Sequence, residues 1–169
     1  AVVAQPVRTI LSGPAAGIAA TVHFARFVDR PRILAYDMGG TSTDVALVHD
    51  YEFPVKRETV LDGLIIKVPQ LDIHTVGAGG GSIATLDAGG GLQLGPESAG
   101  ANPGPASYGL GGTRPTVTDA NVILGRLGSG QELGKSLRID RNMAVEATEP
   151  VAGTAGLEVS AMADAILKL

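Results

Sequence analysis

Residues 33–48 read Ile33-Leu34-Ala35-Tyr36-Asp37-Met38-Gly39-Gly40-Thr41-Ser42-Thr43-Asp44-Val45-Ala46-Leu47-Val48, and the reading of this stretch decides the rest. Two apolar, strand-like runs flank the segment Asp37–Asp44, which predicts a hairpin with an elaborate tip. A plain hairpin turn needs only two residues such as Asn-Gly. This tip carries two glycines, three hydroxyl side chains and an acid at each end. Gly39 and Gly40 have no Cβ, so their backbone N–H groups can approach an anion closely. Thr41, Ser42 and Thr43 add hydroxyl donors. Asp37, closing the first strand, suits Mg²⁺, which beside phosphates takes one or two protein carboxylates and keeps several waters. Asp44 is either a second metal contact or a group that polarises water. Two readings follow. In one, the segment is a nucleotide phosphate loop, with Asp37 and Asp44 catalytic and Asp37 also the metal ligand. In the other it is a long turn whose aspartates are Asx-type turn formers.

Composition narrows the class. A chain of 169 residues is long enough for one domain that buries roughly 70% of its unfolded surface. Its 24 glycines are about double the usual share, and they cluster. Aromatic residues are only 4% of the chain, so the core is expected to be Ala, Val, Ile and Leu. A formal charge of −4 offers no basic footprint for nucleic acid. The absence of cysteine excludes a disulfide framework and a thiolate metal site. No apolar run approaches the length of a membrane span, and the start shows no signal-peptide pattern, so a cytoplasmic location is expected. The chain opens on Ala1-Val2-Val3-Ala4 and closes inside the helical pattern Val159, Met162, Ala163, Ile166, Leu167. With no glycine stop after it, a piece of a larger protein is expected.

Along the chain, Ser12-Gly13-Pro14 reads as a helix entry, with proline tolerated at the first helical position. The helix is expected over 15–28, with Ile18, Val22, Ala25 and Phe24 facing the core. A third strand over 52–59 is expected to extend the hairpin's sheet, with further strands at 64–68 and 71–76 interrupted by Pro69. Asp72 and His74 would then share one strand face, as an orienting pair or an ordinary surface pair. His23, in the first helix, and His49, at a strand end, suggest no metal site.

Thr75-Val76-Gly77-Ala78-Gly79-Gly80-Gly81-Ser82 places four glycines in five positions after a strand. Glycine loses the most entropy on ordering, so the stretch reads as a turn passing close to a ligand or as a flexible turn, with Ser82 opening a helix. It lacks the dinucleotide fingerprint. The Gly/Pro-rich stretch 88–115 is expected to be a long ordered loop, since such loops in compact domains are usually functional. After it, Thr118 is the expected N-cap of a helix reaching Leu127, with Asp119 at the positive helix end, where a carboxylate is stabilising. Gly134-Lys135-Ser136 imitates the end of a P-loop, but Ser129 stands where that motif needs glycine. The tail is expected to form two helices, with Glu146 and Glu149 solvated.

Four blocks together carry a resemblance: Tyr36–Asp44, Asp72–Ser82, Gly95-Pro96-Glu97-Ser98-Ala99-Gly100, and Pro115-Thr116-Val117-Thr118-Asp119-Ala120-Asn121. In this order they resemble the hydantoinase A/oxoprolinase family, over most of residues 1–127. The resemblance implies an α/β fold, one ribonuclease-H-like half of an actin-like ATPase, with a mixed sheet and flanking helices. Residues 1–127 would form that half-domain, and 128–169 a linker and C-terminal helices. It implies ATP and Mg²⁺ as cofactors, with Asp37–Asp44 matching one phosphate loop (Gly39, Gly40, Thr41, Ser42, Thr43). Gly77, Gly79, Gly80, Gly81 and Ser82 match a second nucleotide loop. It implies phosphorylation of a substrate oxygen to open a cyclic amide such as 5-oxoproline or a hydantoin, or to carboxylate a ketone. A hydantoinase B type subunit or domain and the remaining half of the ATPase fold are the implied partners. Rival readings are another actin-like-fold ATPase or sugar kinase, and a non-catalytic module that docks a partner. The family often carries cysteine and arginine where this chain has Ser107 and Leu110. The chain also lacks the family's opening Asp-x-Gly-Gly-Thr segment, so alone it is expected to turn over no cyclic amide.

Overall fold

Alternation of apolar residues on either side of the glycine tip gives a small sheet with one covered face. The computed structural model describes residues 6–10, 12–61, 63–130, 132–133 and 137–169. These fall into two units, Ala1–Asp37 with Thr43–Val76, and Met38–Ser42 with Gly77–Leu169. The result is mixed α/β with several small sheets in place of one continuous sheet.

In the first unit a 3-10 turn, Pro6–Thr9, precedes α1 (Ser12–Phe27). Pro14 sits in the first turn of α1, where its missing N–H would have had no intrahelical partner. Seven strands follow: β1 (Arg32–Met38), β2 (Thr43–His49), β3 (Val55–Lys56), β4 (Thr59–Leu61), β5 (Leu64–Ile66), β6 (Gln70–Leu71) and β7 (His74–Val76). β1, β2 and β7 form a three-stranded sheet in that order. Ile18 of α1 packs with Ala46 and Val48 of β2, and Val22, Ile33, Ala35, Phe53, Leu71 and Ile73 close round them. Ala25 is fully buried as expected, but Phe24 is 58% exposed, its ring 6.5 Å from that of Phe27. At 3.6 residues per turn Phe24 lies about 120° round the helix from Ile18, which takes it off the buried stripe.

The strand expected to extend this sheet does not. β3 pairs antiparallel with β6, and β7 takes the place beside β2. Pro54 has no N–H for a ladder, while Phe53 turns into the core. β4 and β5 pair only with each other.

The second unit is built round β8 (Ser82–Leu86) and β9 (Leu92–Ser98), an antiparallel hairpin. Ser82 opens a strand, not the expected helix, because β-branched and apolar residues follow it and its side chain is used locally. The expected long loop is likewise part strand. The Asp87 carboxylate accepts from the Gly89 and Gly91 N–H groups at 2.8 and 2.9 Å, which closes the hairpin. Those two bonds hold the Asp87 carboxyl below its ordinary value. A 3-10 turn, Ala106–Tyr108, leads towards α2 (Val117–Ile123). Thr116, not Thr118, is its N-cap. Thr116 and Asp119 form a reciprocal capping box, and Gly125 at φ +72° ends it before Leu127. β10 (Glu132–Leu133) pairs with β11 (Leu137–Arg138). The P-loop imitation 134–136 lies outside the described residues.

The tail, expected as linker and helices, belongs to this second core. α3 (Arg141–Ala155) and α4 (Val159–Ile166) pack on α2. Val122, Ile123, Ala144, Ala152, Met162, Ala163 and Ile166 are buried together, whereas Glu146 and Glu149 are exposed. Among the described residues no helix is long and apolar enough to cross a membrane.

Three outcomes follow for stability. Met162→Ala or Ile166→Ala should cost about 2–5 kcal/mol through the cavity left behind, read as a lower denaturant midpoint. The Ser107 hydroxyl is buried with no partner among the described residues, so Ser107→Ala should leave the midpoint unchanged or raise it. Arg114 grips Glu97 through two bonds of 2.6 and 2.7 Å and holds its carboxyl below the ordinary 4.5. A depressed folded value means the contribution is present above 4.5 and lost as pH falls through the folded value. The stability difference between the native chain and Glu97→Gln should therefore shrink on acidification below 4.5, measured by denaturant titration across pH.

Candidate functional site

The tip belongs to the second unit and is held by backbone packed on backbone. The Gly39 N–H donates to the Ser42 carbonyl at 2.8 Å and closes the turn. Beneath it, the Gly80 N–H donates to the Gly39 carbonyl at 2.9 Å and the Gly81 N–H to the Gly40 carbonyl at 2.6 Å. A Cβ on Gly79 would stand 2.8 Å from the Gly39 oxygen, the Ser42 nitrogen and the Thr41 carbonyl carbon. One on Gly81 would stand 2.8 Å from the Gly40 oxygen. Ser82 is buried, and its hydroxyl accepts the Gly79 N–H at 2.9 Å. Gly77 has open space where a Cβ would be.

This support uses the tip's carbonyls and leaves three of its N–H groups unbonded among the described residues. Gly39, Gly40 and Thr41 are exposed and Ser42 is half-buried. The N–H groups of Gly40, Thr41 and Ser42 meet no acceptor among the described residues. Three consecutive amides with two neighbouring hydroxyls form a donor set suited to a polyanion. By contrast, the N–H groups of Gly79, Gly80, Gly81 and Ser82 are all taken within the chain. The two glycine-rich segments are thus brought together, one presenting donors and the other holding it.

Behind the support stands α2. The Thr118 N–H donates to the Gly80 carbonyl at 2.8 Å, and the Thr118 hydroxyl fills the space a Cβ on Gly80 would need. Asp119 is fully buried, and its carboxylate accepts from the Thr116 N–H and hydroxyl and from the Ala106 and Ser107 N–H groups. All four of these donors belong to the chain itself.

In the first unit, Asp37 and Asp44 line a pocket of about 220 Å³ between α1 and the sheet, with Gly17, Thr21, Tyr36 and Ile73. Asp37 is exposed, and its carboxylate has no partner among the described residues. Asp44 is half-buried and accepts the Thr75 hydroxyl at 2.6 Å, because Thr75 lies opposite it in the β2–β7 register. Neither acid is in an ion pair among the described residues; the two carboxylates stand at a pocket lined otherwise mostly by apolar side chains, Ile18, Ala35, Val45, Ala46 and Ile73 among them. Thr43 is buried. His74 is exposed and stands opposite Val45. Asp72 pairs with Lys56 at 2.5 Å instead of with His74; it precedes β7, so strand alternation does not align the two. Among the described residues no three His, Cys, Asp or Glu converge on a metal position. The donor set fits Mg²⁺ only with phosphate and water oxygens completing its shell.

Sequence reasoning missed four contributors. Thr75 as the partner of Asp44 depends on a register between strands 31 positions apart in sequence, which no local pattern carries. Gly17 and Thr21 look like ordinary helix positions. Thr118 was read as a cap, and its contact with Gly80 has no local signature.

Comparison with known proteins now bears on this geometry. The model of the Hydantoinase/oxoprolinase family matches residues 1–169. Caprolactamase subunit alpha of Pseudomonas jessenii is 43% identical over 166 residues, 98% of this chain and 24% of that protein. The 5-oxoprolinase of Saccharomyces cerevisiae is 48% identical over 122 residues, 71% of this chain and 9% of the relative. The nucleotide-free structure of acetone carboxylase, from work on ATP-dependent acetone carboxylation, superposes with a TM-score of 0.78 at 32% identity. It covers 95% of this chain and 23% of its own. This chain therefore spans about a quarter or less of these relatives. On the full-length match of the family model and these identities, the chain belongs to the hydantoinase/oxoprolinase family.

Proposed function

We propose that the segment Asp37–Asp44 holds the phosphates and metal of MgATP, in a protein that activates a cyclic amide for ring opening. The observation that carries this reading is the run of N–H groups at Gly40, Thr41 and Ser42 left unbonded among the described residues, on a tip whose Gly39 and Gly40 carbonyls are tied down by Gly80 and Gly81. Those amides, with the Thr41 and Ser42 hydroxyls, would bind phosphate oxygens; Gly39 closes the turn that aims them. Thr43, at the foot of β2, fixes where the tip leaves the strand. Asp37, unpaired among the described residues, would hold the metal. Asp44, oriented by Thr75, would hold the metal or a water. Gly79, Gly80, Gly81 and Ser82 serve the site by holding the tip, and Gly77 leads into them.

ATP when bound supplies a phosphoryl group that turns a carbonyl oxygen into a leaving group. The chain's own residues position and neutralise, which is most of what phosphoryl-transfer catalysis requires. The ribonuclease-H-like, actin-like architecture accords with α1 packed on one face of the β1–β2–β7 sheet. The name of the Pseudomonas relative, a subunit alpha, supports a partner subunit, and the family resemblance suggests one of hydantoinase B type; the rest of the ATPase would come from the remainder of the polypeptide. A cytoplasmic location completes the proposal. A second reading, an ATP-dependent ketone carboxylase subunit, is favoured by the superposition on acetone carboxylase.

In the whole enzyme, Asp37→Asn should lower ATP turnover at least about a hundredfold while leaving partner association intact, checked by phosphate release and co-purification. Gly79→Ala forces a Cβ against three backbone atoms at 2.8 Å, so it should weaken MgATP binding at least about tenfold, read by calorimetry. An ATPase screen with 5-oxoproline, hydantoins, lactams and ketones separates the two readings: stimulation by ketone and bicarbonate alone would replace the amidohydrolase.

A further inference from the structure

We infer that Asp119 is a positioning residue for the tip Gly39–Ser42, acting through α2; the inference rests on the nucleotide reading above. A capping box asks only that the carboxylate reach back to the N-cap N–H. Asp119 does this at 3.0 Å to Thr116, and takes the Thr116 hydroxyl at 2.8 Å as well. It then accepts two donors that no cap requires, the Ser107 N–H at 2.8 Å and the Ala106 N–H at 3.2 Å. The carboxylate is wholly buried, and its bonds draw the 3-10 turn Ala106–Tyr108 and the start of α2 onto one point.

What that point fixes is the support of the tip. In the first turn of α2 the backbone N–H groups have no intrahelical acceptor. That of Thr118 is given to the Gly80 carbonyl at 2.8 Å. Gly80 and Gly81 in turn hold the Gly39 and Gly40 carbonyls. The sequence of contacts Asp119, Thr116–Thr118, Gly80, Gly39 therefore lies within one unit and consists of hydrogen bonds and the covalent chain. It contains no long flexible side chain to absorb a displacement. A shift at the start of α2 is transmitted to the carbonyls of the tip, and with them to its unbonded amides.

Asp119→Asn in the whole enzyme tests this. It keeps the size of the side chain but turns an NH₂ group towards converging donors. Two readouts are needed: hydrogen exchange of the bonded amides, Gly39 in the tip and 79–82 beneath it, and the Kd for Mg·ADP by calorimetry on folded protein. Faster exchange in both segments, with exchange in α4 unchanged, and a Kd at least about tenfold higher are expected. A cap that only stabilises the helix would move neither the tip's exchange nor the Kd of the folded fraction, and that result overturns the positioning role alone. Native enzyme that binds no Mg·ADP overturns the nucleotide reading and this role with it. If Asp119→Asn does not fold, Gly80→Ala repeats the displacement from the other side, since its Cβ would meet the Thr118 hydroxyl at 2.8 Å. Adding Thr118→Ala should then restore tip protection and affinity. Failure of that rescue contradicts the proposed contact.

Discussion

The site depends on one steric fact: Gly79 and Gly81 carry no Cβ, so one strand of backbone can lie directly against another. With the closest approach at 2.8 Å to three separate atoms of the tip, any side chain on Gly79 would push the loop away. The hydrogen bonds from Gly80 and Gly81 to the Gly39 and Gly40 carbonyls exist only because that approach is open. They occupy the Gly39 and Gly40 carbonyls and leave the N–H groups of Gly40, Thr41 and Ser42 unbonded among the described residues. A loop of this composition free in water would sample many conformations, since glycine is the most permissive residue. Held from below it presents one.

The acids flanking the tip are handled differently. Asp44 is set by a single short bond from Thr75 across the β2–β7 ladder, whereas Asp37 is left exposed and unpaired among the described residues. One fixed and one free carboxylate thus stand on a small open pocket, and the proposed metal would take the place of the missing partner. A turn-forming role would instead tie both carboxylates to nearby backbone N–H groups, as Asp87 is tied in the β8–β9 hairpin. The chain thus contains its own comparison between an aspartate that makes a turn and one that does not.

Much of this was legible in the sequence, for physical reasons that also explain the failures. The hairpin at 33–48, α1 and the two C-terminal helices carry strong periodicity over many residues, and all four form. The third strand of the first sheet was misplaced because β3, β6 and β7 are two or three residues long, too short for alternation to mark. Phe24 was placed on the core face by its hydrophobicity and rejected by helical geometry. Composition marked Gly79–Gly81 as special but could not distinguish close approach to a ligand from close approach to backbone, because both demand a missing Cβ. Thr118 was preferred to Thr116 as N-cap although Asp119 lies three residues after Thr116, the spacing a capping box requires.

The central claim is that the tip's unbonded amides bind the phosphates of a nucleotide. The most direct measurement is the change in amide chemical shifts of the whole protein, isotopically labelled at glycine, serine and threonine, on addition of a non-hydrolysable MgATP analogue. The largest shifts should fall on Gly40, Thr41 and Ser42, with Gly79, Gly80 and Gly81 moving less because their N–H groups are already engaged. Saturable binding of the analogue with those three amides unmoved would contradict the account.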